Sequence, residues 1–290
     1  MIMKFEKYFR PTSLQEALDL MKEYRGEYKL IAGGTDVVIR LKAHALRVKT
    51  VIDISRIPEL SGVRVEDGEL YVGANTRLMD LSKNPDVVNS EWEILAECAG
   101  HVSSTQVRNV ATLAGNNVNA SPSADTTPAL LMCDAIVHIA GPDGKREEAI
   151  DDFLLGPGKV DLKDGEIVTG FTFPKQGDRS QAAYIKFAIR GDTDIAIVNA
   201  GARIGLDADG KVSDARLVLG AVAPRSIRMK EVEEFLIGKE MTKEVVEEAA
   251  ARARDSITPI TDQRATAAYR KQMAYVNLRN AMNEAVGKLA

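Results

Sequence analysis

Two short stretches carry the residue types that bind anions. The first, IAGGTD at residues 31–36, sets two adjacent glycines, a threonine and an aspartate between two apolar runs. The second, ATLAGNNVNASPSAD at residues 111–125, brings Thr112, Gly115 and Asn116 into one turn. Glycine lets another group come close to the main chain, and successive exposed N–H groups form a concavity for an anion. Singly, each stretch reads as a tight turn. As a pair they read as two loops that grip a pyrophosphate from both sides, with the Thr35 and Thr112 hydroxyls as further donors. Other phosphate signatures are missing. No GxGxxG follows a strand, and Gly156-Pro-Gly-Lys159 is too short for a GxxxxGK(S/T) loop.

Titratable candidates are few. Of the three histidines, His138 lies in an apolar strand-like run and reads as structural, while His44 and His101 have no partner at metal-ligand spacing. The two cysteines, Cys98 and Cys133, each sit alone in an apolar, helix-like run and read as buried thiols. Two cysteines cannot hold a four-cysteine iron–sulfur cluster. Asp125 reads either as a cap for the helix opening at Thr126 or as a ligand contact. Lys186, centred in a strand run, is either a solvated cation or a charge beside a bound group. No general base, nucleophile or metal triad stands out.

The elements that must position these residues follow from patterning. The chain has 290 residues, 45% hydrophobic and 28% charged, enough for a large core in two lobes or domains. A net charge of -4 leaves no basic field for nucleic acid. No run reaches the ~18 apolar residues of a membrane span, and MIMKFEKYFRPTS lacks the features of a signal peptide. A cytoplasmic chain is expected. Ser13-Leu-Gln-Glu16 has the form of a capping box for a helix to about residue 26. Strands are expected at 28–31, 50–54 and 135–139, and Asp67-Gly68 marks a hairpin between 63–65 and 69–72. Helices are expected around 76–82, 91–103 and 128–133, with 110–127 a long functional loop. PKQGDR at 174–179 marks a boundary. Beyond it come strands at 182–190, 195–204 and 215–219, then helices starting at Ser226, Thr242 and Thr261.

Taken in order, Ile31-Ala-Gly-Gly-Thr-Asp36, Arg108-Asn-Val-Ala-Thr-Leu-Ala-Gly-Asn116, Ala120-Ser-Pro-Ser-Ala-Asp125, Lys186-Phe-Ala-Ile-Arg-Gly-Asp-Thr-Asp-Ile-Ala196 and Arg264-Ala-Thr-Ala-Ala-Tyr-Arg270 span nearly the whole chain. In these motifs the sequence resembles the FAD-binding subunit of the molybdenum hydroxylases, a family that includes xanthine dehydrogenase, carbon monoxide dehydrogenase and the aza-arene hydroxylases. The resemblance implies an α+β fold: a two-subdomain FAD-binding domain at 1–176, divided near 56, followed by an α+β domain at 177–290 with a three-stranded sheet and helices. It implies that Leu30, Ile31, Ala32, Gly33, Gly34, Thr35, Asp36 and Val37 meet the cofactor on one side, and Thr112, Leu113, Ala114, Gly115 and Asn116 on the other. Val102 and Val168 fall at the family's apolar contacts, and Asp125 and Lys186 at its polar ones. Ala114 stands where many members have a second glycine, and Arg190-Gly-Asp replaces a differently charged run.

By the same resemblance the chain is the flavoprotein component of a molybdenum hydroxylase. FAD would be non-covalent, since no histidine lies within 31–36. Molybdopterin and iron–sulfur clusters of the 2Fe–2S type would sit on partner subunits, in a dimer of heterotrimers. Electrons would pass from those clusters through FAD to NAD+ or another acceptor. Two other readings stand beside this one. A self-sufficient flavoenzyme of the same fold would reduce its flavin with substrate alone. A docking subunit would take up no FAD.

Overall fold

The computed structural model describes residues 4–177, 179–191 and 193–289. Asp178 of the PKQGDR stretch and Asp192 of Arg190-Gly-Asp lie outside the described residues. Strands β1 (Lys7–Phe9), β2 (Tyr28–Ile31) and β3 (Thr50–Asp53) form a parallel sheet in the order β1-β3-β2, joined through the helices Leu14–Glu23 and Val37–Lys42. The first helix starts as its sequence demands. The Ser13 hydroxyl accepts from the Glu16 N–H at 3.2 Å, and the Glu16 carboxylate accepts from the Thr12 N–H at 2.8 Å, one residue earlier than in the standard box. Because the strands are parallel, the first glycine loop leaves at their carboxyl edge, where open α/β sheets place ligands.

A second, antiparallel sheet takes β4 (Val63–Glu66), β5 (Glu69–Gly73), β6 (Ile136–Gly141) and β7 (Gly144–Ala149). After a small hairpin of β8 (Leu154–Gly156) and β9 (Lys159–Val160), β10 (Ile167–Phe173) enters its centre, giving the order β4-β5-β10-β6-β7. Asp67 and Gly68 both have positive φ, 54° and 81°, as a two-residue hairpin turn requires. Six short helices link β5 to β6, among them Glu93–Gly100, Leu113–Val118 and Thr127–Met132. The segment 110–127 is therefore not one long loop. It contains a six-residue helix, too short and too rich in Gly and Asn to show a period.

The C-terminal sheet consists of β11 (Ser180–Phe187), β12 (Val198–Leu206), β13 (Val212–Gly220) and the two-residue β14 (Ile227–Arg228), so the expected three strands gain a fourth. Helices Lys230–Leu236, Lys243–Ser256 and Ala267–Gly287 follow. Thr242 caps the second as expected, but the segment at Ser226 enters β14, and the last helix is capped by Thr266 rather than Thr261.

Strand alternation gives this sheet two buried faces. Val198, Ala200, Ala202 and Ile204 pack with Ala215, Leu217 and Leu219 against the three helices, around Leu278 and Met282. Tyr184 and Val218, on the other face, belong to a second apolar cluster with Leu95, Leu130, Phe171 and Phe173. Gly201 leaves room on that face for Met132, whose methyl would lie 2.6 Å from a Cβ there. The fold is thus α+β, with the C-terminal sheet between its own helices and the elements that precede it. Among the described residues, no helix is long and apolar enough to cross a membrane.

Candidate cofactor site

The first glycine loop leaves β2 half-buried and enters the helix Val37–Lys42. Gly34 takes φ +74°, a conformation that glycine adopts without a Cβ penalty. Asp36 precedes the helix but makes no side-chain cap bond. Among the described residues, the main-chain N–H groups of Ala32, Gly33, Gly34, Thr35, Asp36 and Val37 donate to no protein acceptor. Half-buried amides without a partner are costly unless water or a ligand accepts from them.

The second stretch behaves differently, and the expectation of a second row of exposed donors is corrected here. Thr112 is the N-cap of Leu113–Val118, and its hydroxyl accepts from the Gly115 N–H at 3.1 Å. The Leu113 N–H donates to the Thr76 carbonyl, that of Ala114 to the Ala74 carbonyl, and that of Asn116 to the Thr112 carbonyl. These amides are consumed by the protein. At Ala114, where many members have a second glycine, the amide is already committed to Ala74. Asn116 accepts from the Thr126 hydroxyl at 2.6 Å, which ties the turn to the next helix.

The two stretches touch. A Cβ at Gly33 would lie 2.0 Å from the Val110 carbonyl oxygen and 2.9 Å from the Ala111 Cα. What comes close to the double glycine is therefore the second loop itself. Asn119 adds a side-chain link, donating to Asp36 Oδ1 at 3.2 Å. Arg108 holds the turn before the second loop by donating to the carbonyls of Val102 and Ser103. Val102, Leu113, Ala114 and Val168 share one apolar cluster, with Leu30 and Ala32 packed against it. Val168, the second residue of β10, lies at a register break next to Thr169, whose carbonyl accepts from the Ala74 N–H.

Asp125 and Lys186 form a buried pair. Lys186 Nζ lies 2.9 Å from Asp125 Oδ2 and 3.0 Å from the His101 carbonyl oxygen, and its side chain is only 2% exposed. The solvated reading of Lys186 is excluded. Asp125 does not cap the following helix, whose N-cap is Thr126. Its other oxygen accepts from the Tyr184 hydroxyl at 2.7 Å. Burial pushes the Asp125 carboxyl above its ordinary value, and the Lys186 ammonium opposes that push. Residue typing alone missed Tyr184. Its position two residues before Lys186, on the same strand face, was the available signal. The expectation for the cysteines holds: both are buried, and burial pushes the Cys133 thiol up to about 12.

Residues 3–176 match the family model described as the FAD binding domain in molybdopterin dehydrogenase, and residues 182–285 match the CO dehydrogenase flavoprotein C-terminal domain. The chain belongs to this flavoprotein family. It is 32% identical over 284 residues to the xanthine dehydrogenase FAD-binding subunit of Escherichia coli O157:H7, covering 97% of this chain and 96% of that one. It is 33% identical over 289 residues to the carbon monoxide dehydrogenase medium chain of Hydrogenophaga pseudoflava, covering 99% of both. A solved structure of carbon monoxide dehydrogenase from the same organism, lacking the Mo-pyranopterin moiety of its cofactor, superimposes with a TM-score of 0.95 at 32% identity over the full length of both chains. The protein is thus an FAD subunit of the xanthine and carbon monoxide dehydrogenase type, a component of an oxidoreductase.

The residues present fit the cofactor where the main chain is open: a run of unpartnered donors at residues 32–37 suits the oxygens of a diphosphate.

Proposed function

We propose that this subunit holds FAD without a covalent bond and relays electrons from the iron–sulfur clusters of a partner subunit to NAD+ or another acceptor. The unpartnered amides of residues 32–37 carry this reading. Leu30, Ile31, Ala32, Gly33, Gly34, Thr35, Asp36 and Val37 form one wall, in which the N–H groups of residues 32–37 and the Thr35 hydroxyl would donate to the phosphates. Thr112, Leu113, Ala114, Gly115 and Asn116 form a rigid wall against it, and Val102 and Val168 exclude water from the ring system. Lys186 supplies a fixed positive charge, and Asp125 fixes it. The bound flavin supplies the chemistry, accepting electrons singly and delivering them as a pair. Residues 1–176 make the FAD-binding domain, in subdomains that meet near residue 56, and residues 177–290 close it. Molybdopterin and iron–sulfur clusters belong to partner subunits, which complete a dimer of heterotrimers.

The test is analysis of the chain alone and with its partners. Purified alone, it should contain FAD that acid precipitation releases entirely, no iron or molybdenum, and no hydroxylase activity toward a purine or an aldehyde. Co-purified with its partner subunits, it should be reduced by substrate and reoxidised by NAD+. Flavin left on the acid pellet would overturn the non-covalent claim, and stoichiometric iron in the lone chain would overturn the relay.

A further inference from the structure

Tyr184 and Lys186 share the face that the C-terminal sheet turns toward residues 98–125. On β12, Gly201 lies opposite Tyr184 and Asn199 opposite Lys186. This face grips the stretch that leads into Asp125. The Ala221 N–H donates to the Pro122 carbonyl at 2.7 Å, and Asn199 Nδ2 donates to the Ala124 carbonyl at 3.4 Å. Both oxygens of Asp125 are then occupied from one strand, Oδ1 by the Tyr184 hydroxyl and Oδ2 by the Lys186 ammonium. The carboxylate is a short bridge between a phenol and an ammonium.

We propose that Tyr184 is a positioning residue of the cofactor site: it holds the Asp125 carboxylate in the orientation that fixes Lys186, and so sets the charge Lys186 presents to the flavin. This rests on the reading that Lys186 faces the FAD. Tyr184 is only 3% exposed, and a buried tyrosine hydroxyl needs a partner. Burial, reinforced by the Asp125 charge, pushes its ionisation well above the ordinary value, so it stays a donor. The titratable groups around Asp125 are Lys186 and Tyr184 from β11, Cys98 from the helix Glu93–Gly100, and His101 just beyond that helix. A hydrogen bond to the charged form lowers a carboxyl's pKa, and removing that bond lets burial raise it. Without the tyrosine hydroxyl, Asp125 takes up a proton at higher pH and ceases to balance Lys186.

The experiment is an equilibrium reduction titration of the FAD-loaded chain across the pH range in which it stays folded, alongside FAD affinity. Tyr184→Phe should move the pH break in the flavin potential upward and weaken FAD binding in the pH range where Asp125 is protonated in the variant but not in the parent. An unchanged break and affinity in Tyr184→Phe, with a shifted potential in Lys186→Met, would overturn the positioning role alone. An unchanged potential in Lys186→Met would overturn the reading beneath it, and the positioning role with it. Should Tyr184→Phe not fold, Asp125→Asn serves instead: the pH break should vanish, and its persistence would overturn the proposal.

Discussion

Residues 32–37 and residues 112–116 draw on the same small set of residues, yet the chain uses their main-chain donors in opposite ways. Among the described residues, the first stretch leaves its amides without protein acceptors, and the second gives those of residues 113–116 to Thr76, Ala74 and its own N-cap. Glycine also differs in meaning between them. Gly33 makes room for the main chain of the other loop, whereas a Cβ at Gly115 would meet only the Thr112 hydroxyl, at 2.8 Å. A glycine-rich loop is therefore not a donor site by composition. It becomes one when nothing in the fold accepts from it.

This contrast can be broken at several points. The largest effect should come from Gly33→Ala, where the new methyl meets a carbonyl oxygen that cannot retreat without parting the loops. A loss of at least ~3 kcal/mol in folding stability is expected by denaturant titration, the scale of a severe core clash. An unchanged midpoint would mean the loops do not pack as described. Hydrogen exchange separates the two donor rows directly. Without FAD, amides 32–37 should exchange on the order of 100-fold faster than amides 113–116, and adding FAD should close most of that gap. Equal protection in the FAD-free chain would erase the distinction.

Smaller effects sharpen it. Gly34→Ala forces a side chain into φ +74°, and should cost about 1–3 kcal/mol. Thr112→Ala removes a helix cap, which typically costs ~1 kcal/mol of stability, and thermal melting reads that loss. Thr35→Ala should change stability by less than ~0.5 kcal/mol, as an unpaired surface-side hydroxyl would, while weakening FAD binding by up to about tenfold. If the two threonine variants showed the reverse pattern, the assignment of roles would be inverted.

The sequence made part of this visible. The strands 28–31 and 63–73, the Ser13 and Thr242 caps and the glycine loops were legible because their signals are local. The fate of the second loop's amides was not, since it depends on carbonyls of Ala74 and Thr76, distant in sequence. β10 escaped because Gly170 interrupts its run. That glycine makes room for a neighbour, since a Cβ there would lie 2.2 Å from the Tyr71 hydroxyl. The burial of Lys186 was hidden from residue typing for a related reason. On the face of the C-terminal sheet that meets the rest of the chain, Tyr184, Lys186, Asn199 and Arg203 look like a solvent side, although Asn199 and Arg203 are buried and the Lys186 side chain is 2% exposed. Polar residues at an internal junction share the alternation of a wet surface, and only their partners tell the two apart.

The placement of Tyr184 and Lys186 on a single strand bears on how the protein is made. During synthesis the Asp125 segment leaves the ribosome well before β11, and chains fold largely in that order. Until β11 arrives, the aspartate lacks both its phenol and its ammonium, and its charge can remain hydrated. When the strand docks, it brings the lid that shuts out water and the ammonium that balances the charge in one event. A buried carboxylate without its counter-ion is strongly destabilising, and this arrangement means the nascent chain need never pass through that state.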